Sequence, residues 1–217
     1  MTNPDGPVRV LHVLQRMEAG GTQALLMNLY RNIDRSRLQF DFLVEYRERQ
    51  FYDDEIESLG GRIYRASFRE DLNPFRFYSY LRRFFEEHRE YRIVHVHAYT
   101  IGYLPLRAAR RAGVVVRVAH SHNNRMSGHA VAVKKVMRAL FPLNANRFMA
   151  CSEEAGRFLF GDRGFTVVPN AIDAASFAYD PEARAEMRAE LGFSDGEFVV
   201  GSVGRLHHQK NQGFLLE

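Results

Sequence analysis

Short apolar runs in this sequence alternate with longer stretches that are apolar on one side only, and that alternation is what most constrains the fold. Residues 8–14, 40–44, 62–65, 93–97, 114–119, 147–150 and 165–168 are compact apolar runs of strand length. Between most of them, apolar residues recur every three or four positions, as they do along one side of a helix. Such stretches cover residues 20–32, 53–59, 74 to about 88, 101–112 and 130–141, and another begins at Ser152. Strands that alternate with helices pair in parallel and carry helices on both faces of the sheet. The expected fold class is therefore α/β, with a Rossmann-like parallel sheet flanked by helices. Local punctuation agrees: Asn73 before Pro74 is a cap followed by a first-turn proline, and Gly60-Gly61 and Gly113 are helix stops.

The pattern breaks after residue 168. Residues 169–179 have the character of a linker, and a helix over 181–191 ends at Gly192. Residues 198–203 are a fresh apolar run followed by Gly204-Arg205-Leu206, which predicts the first strand of a second series. The expected organisation is an N-terminal Rossmann-like domain over 1–170, a linker and crossover helix over 171–196, and the beginning of a second Rossmann-like domain over 197–217. One strand and one helix do not bury their own faces, so the sequence is expected to continue past Glu217.

Composition narrows the function classes. Hydrophobic residues make up 46% and charged residues 26% of the 217, enough for a packed core. The net charge of +4 suits anionic ligands, but no block of like charge resembles a nucleic-acid tail, and nucleic acid is not an expected partner. A single cysteine, Cys151, excludes an internal disulfide framework and points to a reducing cytoplasm. No apolar stretch approaches the ~18 residues of a membrane span. In residues 130–141, Val133, Val136, Met137, Leu140 and Phe141 lie opposite Lys134, Lys135 and Arg138. Such a helix either packs on the sheet or rests on the anionic inner face of a membrane.

Three constellations carry chemistry. Gly20-Gly21-Thr22 joins the first strand to the first helix, where free backbone amides favour an anion or a phosphate; a tight turn without a ligand uses the same residues. His95 and His97, then His120 and His122, gather at the ends of two strands. Ligands of open α/β sheets bind outside such carboxyl ends, and imidazoles there donate to sugar hydroxyls or phosphate, or exchange protons. Zinc is the competing use, set aside because no cysteine or nearby carboxylate completes a site. The bland reading is a satisfied buried His95 and a loop-capping His122. The third constellation is Arg205 with Lys210 and Asn211, a guanidinium and an ammonium suited to a diphosphate, or else a solvated basic loop.

Together these pieces resemble the family 4 glycosyltransferases of the GT-B fold, and the branch found in bacterial exopolysaccharide and capsule clusters in particular. The matching stretches include Leu11-His12-Val13-Leu14, Met17 through Gly21, Met27-Asn28-Leu29-Tyr30-Arg31, Val94-His95-Val96-His97, Ala119-His120-Ser121-His122 and Ala150-Cys151-Ser152. Pro169-Asn170-Ala171-Ile172-Asp173 and Gly204-Arg205-Leu206 through Gln209-Lys210-Asn211 are the most specific of them. The resemblance implies a retaining transferase that moves a sugar from a UDP-, GDP- or ADP-linked donor to a sugar or lipid-linked acceptor, with no cofactor and no metal. It implies that Arg205 and Lys210 neutralise the donor diphosphate and that His120 contacts the donor sugar near its anomeric carbon. Gly20 and Gly21 would line the cleft, His97 and His122 would stand beside it, and Asn170 would sit at the domain crossover.

Two departures qualify the match. Gln23 stands where this branch often has glutamate, which weakens an acid–base role there. The family's two glutamates spaced eight apart belong to the back domain and are not among these residues, so the 217 residues alone are expected to be inactive. The alternatives are a stand-alone acceptor-binding module and a sugar-nucleotide epimerase of the same fold.

Overall fold

In the computed structural model, which describes residues 6–66, 68–97, 102–124, 131–204, 206 and 210–216, the apolar runs form seven strands. They are β1 (Val8–Leu14), β2 (Leu38–Val44), β3 (Ile63–Arg65), β4 (Ile93–Val96), β5 (Val116–Ser121), β6 (Arg147–Ala150) and β7 (Thr166–Val167). All pair in parallel, in the order β3-β2-β1-β4-β5-β6-β7. β1 lies inside the sheet, in register with β2 from Val8↔Leu38 to Leu14↔Val44 and with β4 from Val10↔Ile93 to Val13↔Val96. The chain steps outward from β1 through β2 to β3, then returns to the other side of β1 as β4. This reversal is the switch point at which open α/β sheets bind ligands.

The helices are α1 (Gly21–Asn32), α2 (Asp53–Ser58), α3 (Phe68–Asp71), α4 (Pro74–Glu87), α5 (Tyr103–Arg111), α6 (Val131–Leu140), α7 (Glu153–Phe160), α8 (Pro181–Leu191) and α9 (Gln212–Leu216). Their ends follow the local signals. The Asn73 side chain accepts from the Phe75 and Arg76 amides at 3.0 Å each, and Ser152 accepts from Ala155 at 3.2 Å. The short α3 has no periodic signature of its own in four residues.

Side-chain alternation sends each strand's residues to two cores. On one face Leu11, Val13, Val94, Val96 and Ala119 pack with Leu81 and Phe85 of α4, Leu106 of α5 and Leu159 of α7. On the other, Val10, Leu14, Phe40 and Phe42 pack with Met27 and Tyr30 of α1 and Ile56 of α2. The turn into β3 demands glycine, because a Cβ on Gly61 would lie 2.8 Å from the Phe40 carbonyl oxygen. β5 starts at Val116, two residues later than expected. Gly113 turns the backbone to φ +80 and the Val114 amide still bonds back to Ala109 at 3.0 Å, which delays the strand. β5 also runs on to Ser121, so His120 lies within the strand and does not close it.

Residues Met1–Ile172 and Asp173–Glu217 form two separate compact units. In the second, α8 forms as expected, capped by Asp180 and closed by Gly192 at φ +75. The expected strand over 198–203 does not form: the segment has no strand hydrogen bonding, and Phe198 is 94% exposed. A strand exists only as half of a pair, and the described residues of this unit hold no other strand.

One buried charge ties the sheet together. Asp41 of β2 is fully buried and accepts Arg9 Nε and Nη2 at 2.5 Å each, the Tyr91 hydroxyl at 2.7 Å and the Arg62 amide at 2.7 Å. Burial, followed by the hydrogen bonds to Tyr64 and Asp41, pushes the Tyr91 phenol far above its ordinary pKa. Removing one partner of such a pair strands the others in a dry interior. Asp41→Ala is expected to cost about 3–5 kcal/mol of unfolding free energy, measured by urea denaturation; a loss below about 1 kcal/mol would show that solvent reaches the site.

Candidate functional site

Because every strand runs the same way, the segments that follow β1, β4 and β5 reach one edge of the sheet side by side. His12 of β1 stands in register with His95 of β4. Both point to the α1 side of the sheet, as does His120 of β5. His97 and His122 lie two residues beyond His95 and His120 and keep the same face. The backbone holds His97 in line, since its amide donates to Val13 at 2.8 Å. Five imidazoles thus interrupt a face that elsewhere carries valine, leucine and phenylalanine.

The rings contact one another directly. His12 Nδ1 is 3.1 Å from His97 Nε2, and His97 Nδ1 is 2.9 Å from His122 Nε2. His95 Nε2 is 3.0 Å from His120 Nδ1. A neutral imidazole has one N–H and one lone pair. The series His12–His97–His122 is therefore a run of two N–H···N bonds pointing in one direction, and the pair His95–His120 is a second, shorter one. Three of their four outer atoms, His12 Nε2, His122 Nδ1 and His120 Nε2, are buried without a hydrogen-bond partner. An unfilled buried donor or acceptor costs about 1–3 kcal/mol, so these three atoms mark where a bound group would be welcome.

The same burial keeps the rings neutral. Desolvation pulls His12 to about 3, with repulsion from His120 adding to it. Desolvation takes His120 to about 4, and together with His120's charge takes His122 to about 3. His95 and His97 fall well below the usual range, by desolvation first and then by the neighbouring imidazoles.

The glycine loop reaches the same edge from β1. Gly20 caps α1 in an extended conformation with no side-chain acceptor, which leaves the first amides of the helix free for an anion. Gln23 braces this loop: its Nε2 donates to the Arg16 carbonyl at 2.8 Å, and a Cβ on Gly20 would lie 2.6 Å from its Oε1. The Met17 amide donates to Gln50 Oε1 at 2.6 Å, and the Arg16 guanidinium lies 4.2 Å over the Tyr46 ring. Nothing lies within 4 Å of a Cβ built on Gly21, so that glycine borders open space.

The remaining expected residues are placed differently. Asn170 is exposed beyond β7, and the next residue, Ala171, accepts from Asn28 of α1 at 3.2 Å. Lys210 is exposed in the second unit, where a Cβ on Gly204 would lie 3.7 Å from its stem. Arg205 lies outside the described residues. On α6, Val136 is exposed and Arg138 stands 4.9 Å over the Phe158 ring, while Phe141, just beyond the helix, is buried. No helix among the described residues is long and apolar enough to cross a membrane.

His12 is the residue that sequence reasoning missed as a candidate. Only the β1–β4 register makes it a neighbour of His95, and no local pattern encodes that register.

A stability profile follows from the neutral rings. Their folded pKa values lie below the unfolded value of about 6.5, so below pH 6.5 the unfolded chain binds protons that the folded chain refuses. Stability is then highest above about pH 6.5 and falls toward pH 4, by up to about 1.4 kcal/mol per pH unit for each such histidine. Urea unfolding in chelator-treated buffer checks this, and His12→Phe is expected to flatten the slope by about one histidine's share. An unchanged slope would mean that His12 titrates normally.

The profile of Glycosyltransferase Family 4 matches residues 19–176. The chain is 40% identical over 219 residues to the putative glycosyltransferase EpsF of Bacillus subtilis (strain 168), covering 96% of this chain and 57% of that protein. It is 24% identical over 215 residues to the capsular polysaccharide biosynthesis glycosyltransferase CapH of Staphylococcus aureus, covering 97% of this chain and 57% of that one. The chain thus spans little more than half the length of these relatives. Among solved structures, Anabaena HepE in complex with UDP-glucose superposes with a TM-score of 0.72 at 18% identity, over 96% of this chain and 56% of that one.

Proposed function

The chain belongs to Glycosyltransferase Family 4, and on that premise we propose that it supplies the acceptor-side half of a site that moves a sugar from a nucleotide-sugar donor to a sugar or lipid-linked acceptor. The observation that carries this reading is the placement of His120 and the uncapped start of α1 at the same carboxyl edge of the sheet, beside its switch point. Both lie within the stretch that the family profile matches.

The chemistry divides between the parts. His120 is 3% exposed, and its buried, unpartnered Nε2 is the atom we assign to a hydroxyl of the donor sugar close to the bond that breaks. The free amides at Gly20-Gly21 favour negative charge beside it. Lys210 and Arg205 oppose the charge that develops on the departing nucleoside diphosphate, which is the main catalytic term for such a transfer. We assign no metal to that step, because a guanidinium and an ammonium would supply the positive charge that a metal otherwise supplies. Retention of anomeric configuration and a hexosyl donor are part of the proposal, as is a hinge role for Asn170. UDP is the first nucleotide to try, since HepE has been solved with UDP-glucose; GDP and ADP sugars are the next. Val136 beside Lys135, both exposed on α6, supports contact with an anionic membrane surface. The 217 residues alone are expected to be inactive, because Lys210 stands in a unit whose described residues form no sheet to position it.

Calorimetric titration of the full-length gene product with UDP-, GDP- and ADP-sugars tests the reading. One nucleotide is expected to bind selectively, and Lys210→Ala to weaken it about 10- to 100-fold, the worth of a charge-assisted hydrogen bond. His120→Ala is expected to lower turnover while leaving nucleotide affinity within about threefold. Binding of none of the three would leave an acceptor-binding module as the better account. A donor recovered with an inverted sugar carbon and no new glycoside would make it an epimerase.

A further inference from the structure

We propose that His97, His120 and His122 form a binding site for one divalent transition-metal ion of the zinc class, at the carboxyl edge of β4 and β5. The sequence argument against zinc was the lack of a cysteine or nearby carboxylate, and three imidazoles require neither. One ring nitrogen from each of the three lies within 4.8 Å of one from each of the others. Nitrogens bound to one tetrahedral zinc at about 2.0–2.1 Å stand about 3.4 Å apart. His97 Nδ1 and His122 Nε2, now 2.9 Å apart, need only part by a few tenths of an ångström to admit the ion in place of the proton they share.

Two observations beyond proximity point to a ligand. The first is the unpartnered Nε2 of His120, on a side chain 3% exposed. The second is the pair of histidines behind the site. Metal-bound imidazoles nearly always give their other N–H to a fixed acceptor, which sets the tautomer and the ring plane. His12 Nδ1 stands at 3.1 Å from the other nitrogen of His97, and His95 Nε2 at 3.0 Å from the other nitrogen of His120. The proton balance closes without a net change. When His122 Nε2 gives up its place to the ion, its proton moves to Nδ1, which now has no partner.

His12, His95 and His97 form a second possible triad. It is the weaker choice, because an ion there would use the nitrogens that orient His97 and His120. Three protein ligands leave one position open, so a bound ion would pin His120 and still admit an outside oxygen. An ion and the donor sugar would compete for His120 Nε2, so ion binding is measured with no sugar nucleotide present, and its outcome is independent of the transferase reading.

The test is titration of the untagged, chelator-stripped chain with Zn²⁺ by calorimetry and with Co²⁺ by visible absorption. One equivalent is expected, with the intense visible bands of a four-coordinate cobalt ion. His122→Phe is expected to abolish binding, and His12→Phe to weaken it about 10- to 100-fold at unchanged stoichiometry, as loss of an outer partner does. Far-ultraviolet circular dichroism checks that each variant is folded. Should His122→Phe not fold, X-ray absorption of the zinc-loaded wild-type chain decides, with three imidazole nitrogens at about 2.0–2.1 Å expected. No binding, a shell with fewer than three imidazoles, or loss of the ion in His12→Phe but not in His122→Phe would overturn the assignment.

Discussion

The parallel pairing of β1 with both of its neighbours is the constraint on which everything else rests. It places His12 opposite His95 and delivers the glycine loop and the histidine-bearing segments to one edge. A slip of one residue would turn each strand's side chains over. The imidazoles would then enter the core built by α4, α5 and α7, and leucine and valine would line the edge instead. The two apolar cores hold the register because each face has its own helices to satisfy, so packing and site geometry have a common cause.

The sheet treats its buried polar groups in two ways. Toward its outer side, Asp41 has four donors around it and leaves nothing over, which makes it a structural knot. At the carboxyl edge the imidazoles satisfy one another only along two short runs and leave three buried nitrogens open. A fold gains nothing in stability from open nitrogens in a dry place. They are the atoms that the proposed contacts, with a sugar hydroxyl or with an ion, would fill.

Much of this was legible from the sequence wherever the cause is local. Asn73-Pro74 announces the start of α4, Gly192 the end of α8, and the run over 147–150 is β6 to the residue. The histidines at the ends of β4 and β5 were legible as candidates because each pair sits in one short segment. His12 was not, since its partner His97 lies 85 residues along the chain and only tertiary pairing joins them. The role of Gln23 was hidden for a different reason: it braces Arg16, close by in the chain, across the glycine turn, a contact that no spacing rule announces. The run over 198–203 has the composition of a strand and is not one, because strand character belongs to the pair and not to the segment.

The central claim is that the carboxyl edge of β1, β4 and β5 is where the donor sugar reacts. A crystal structure of the full-length gene product with an unreactive UDP-sugar bound addresses it directly. The account predicts a sugar hydroxyl within about 2.7–3.2 Å of His120 Nε2, with the diphosphate turned toward the free amides at the start of α1. A donor bound elsewhere, with His120 Nε2 still unpartnered, would contradict it.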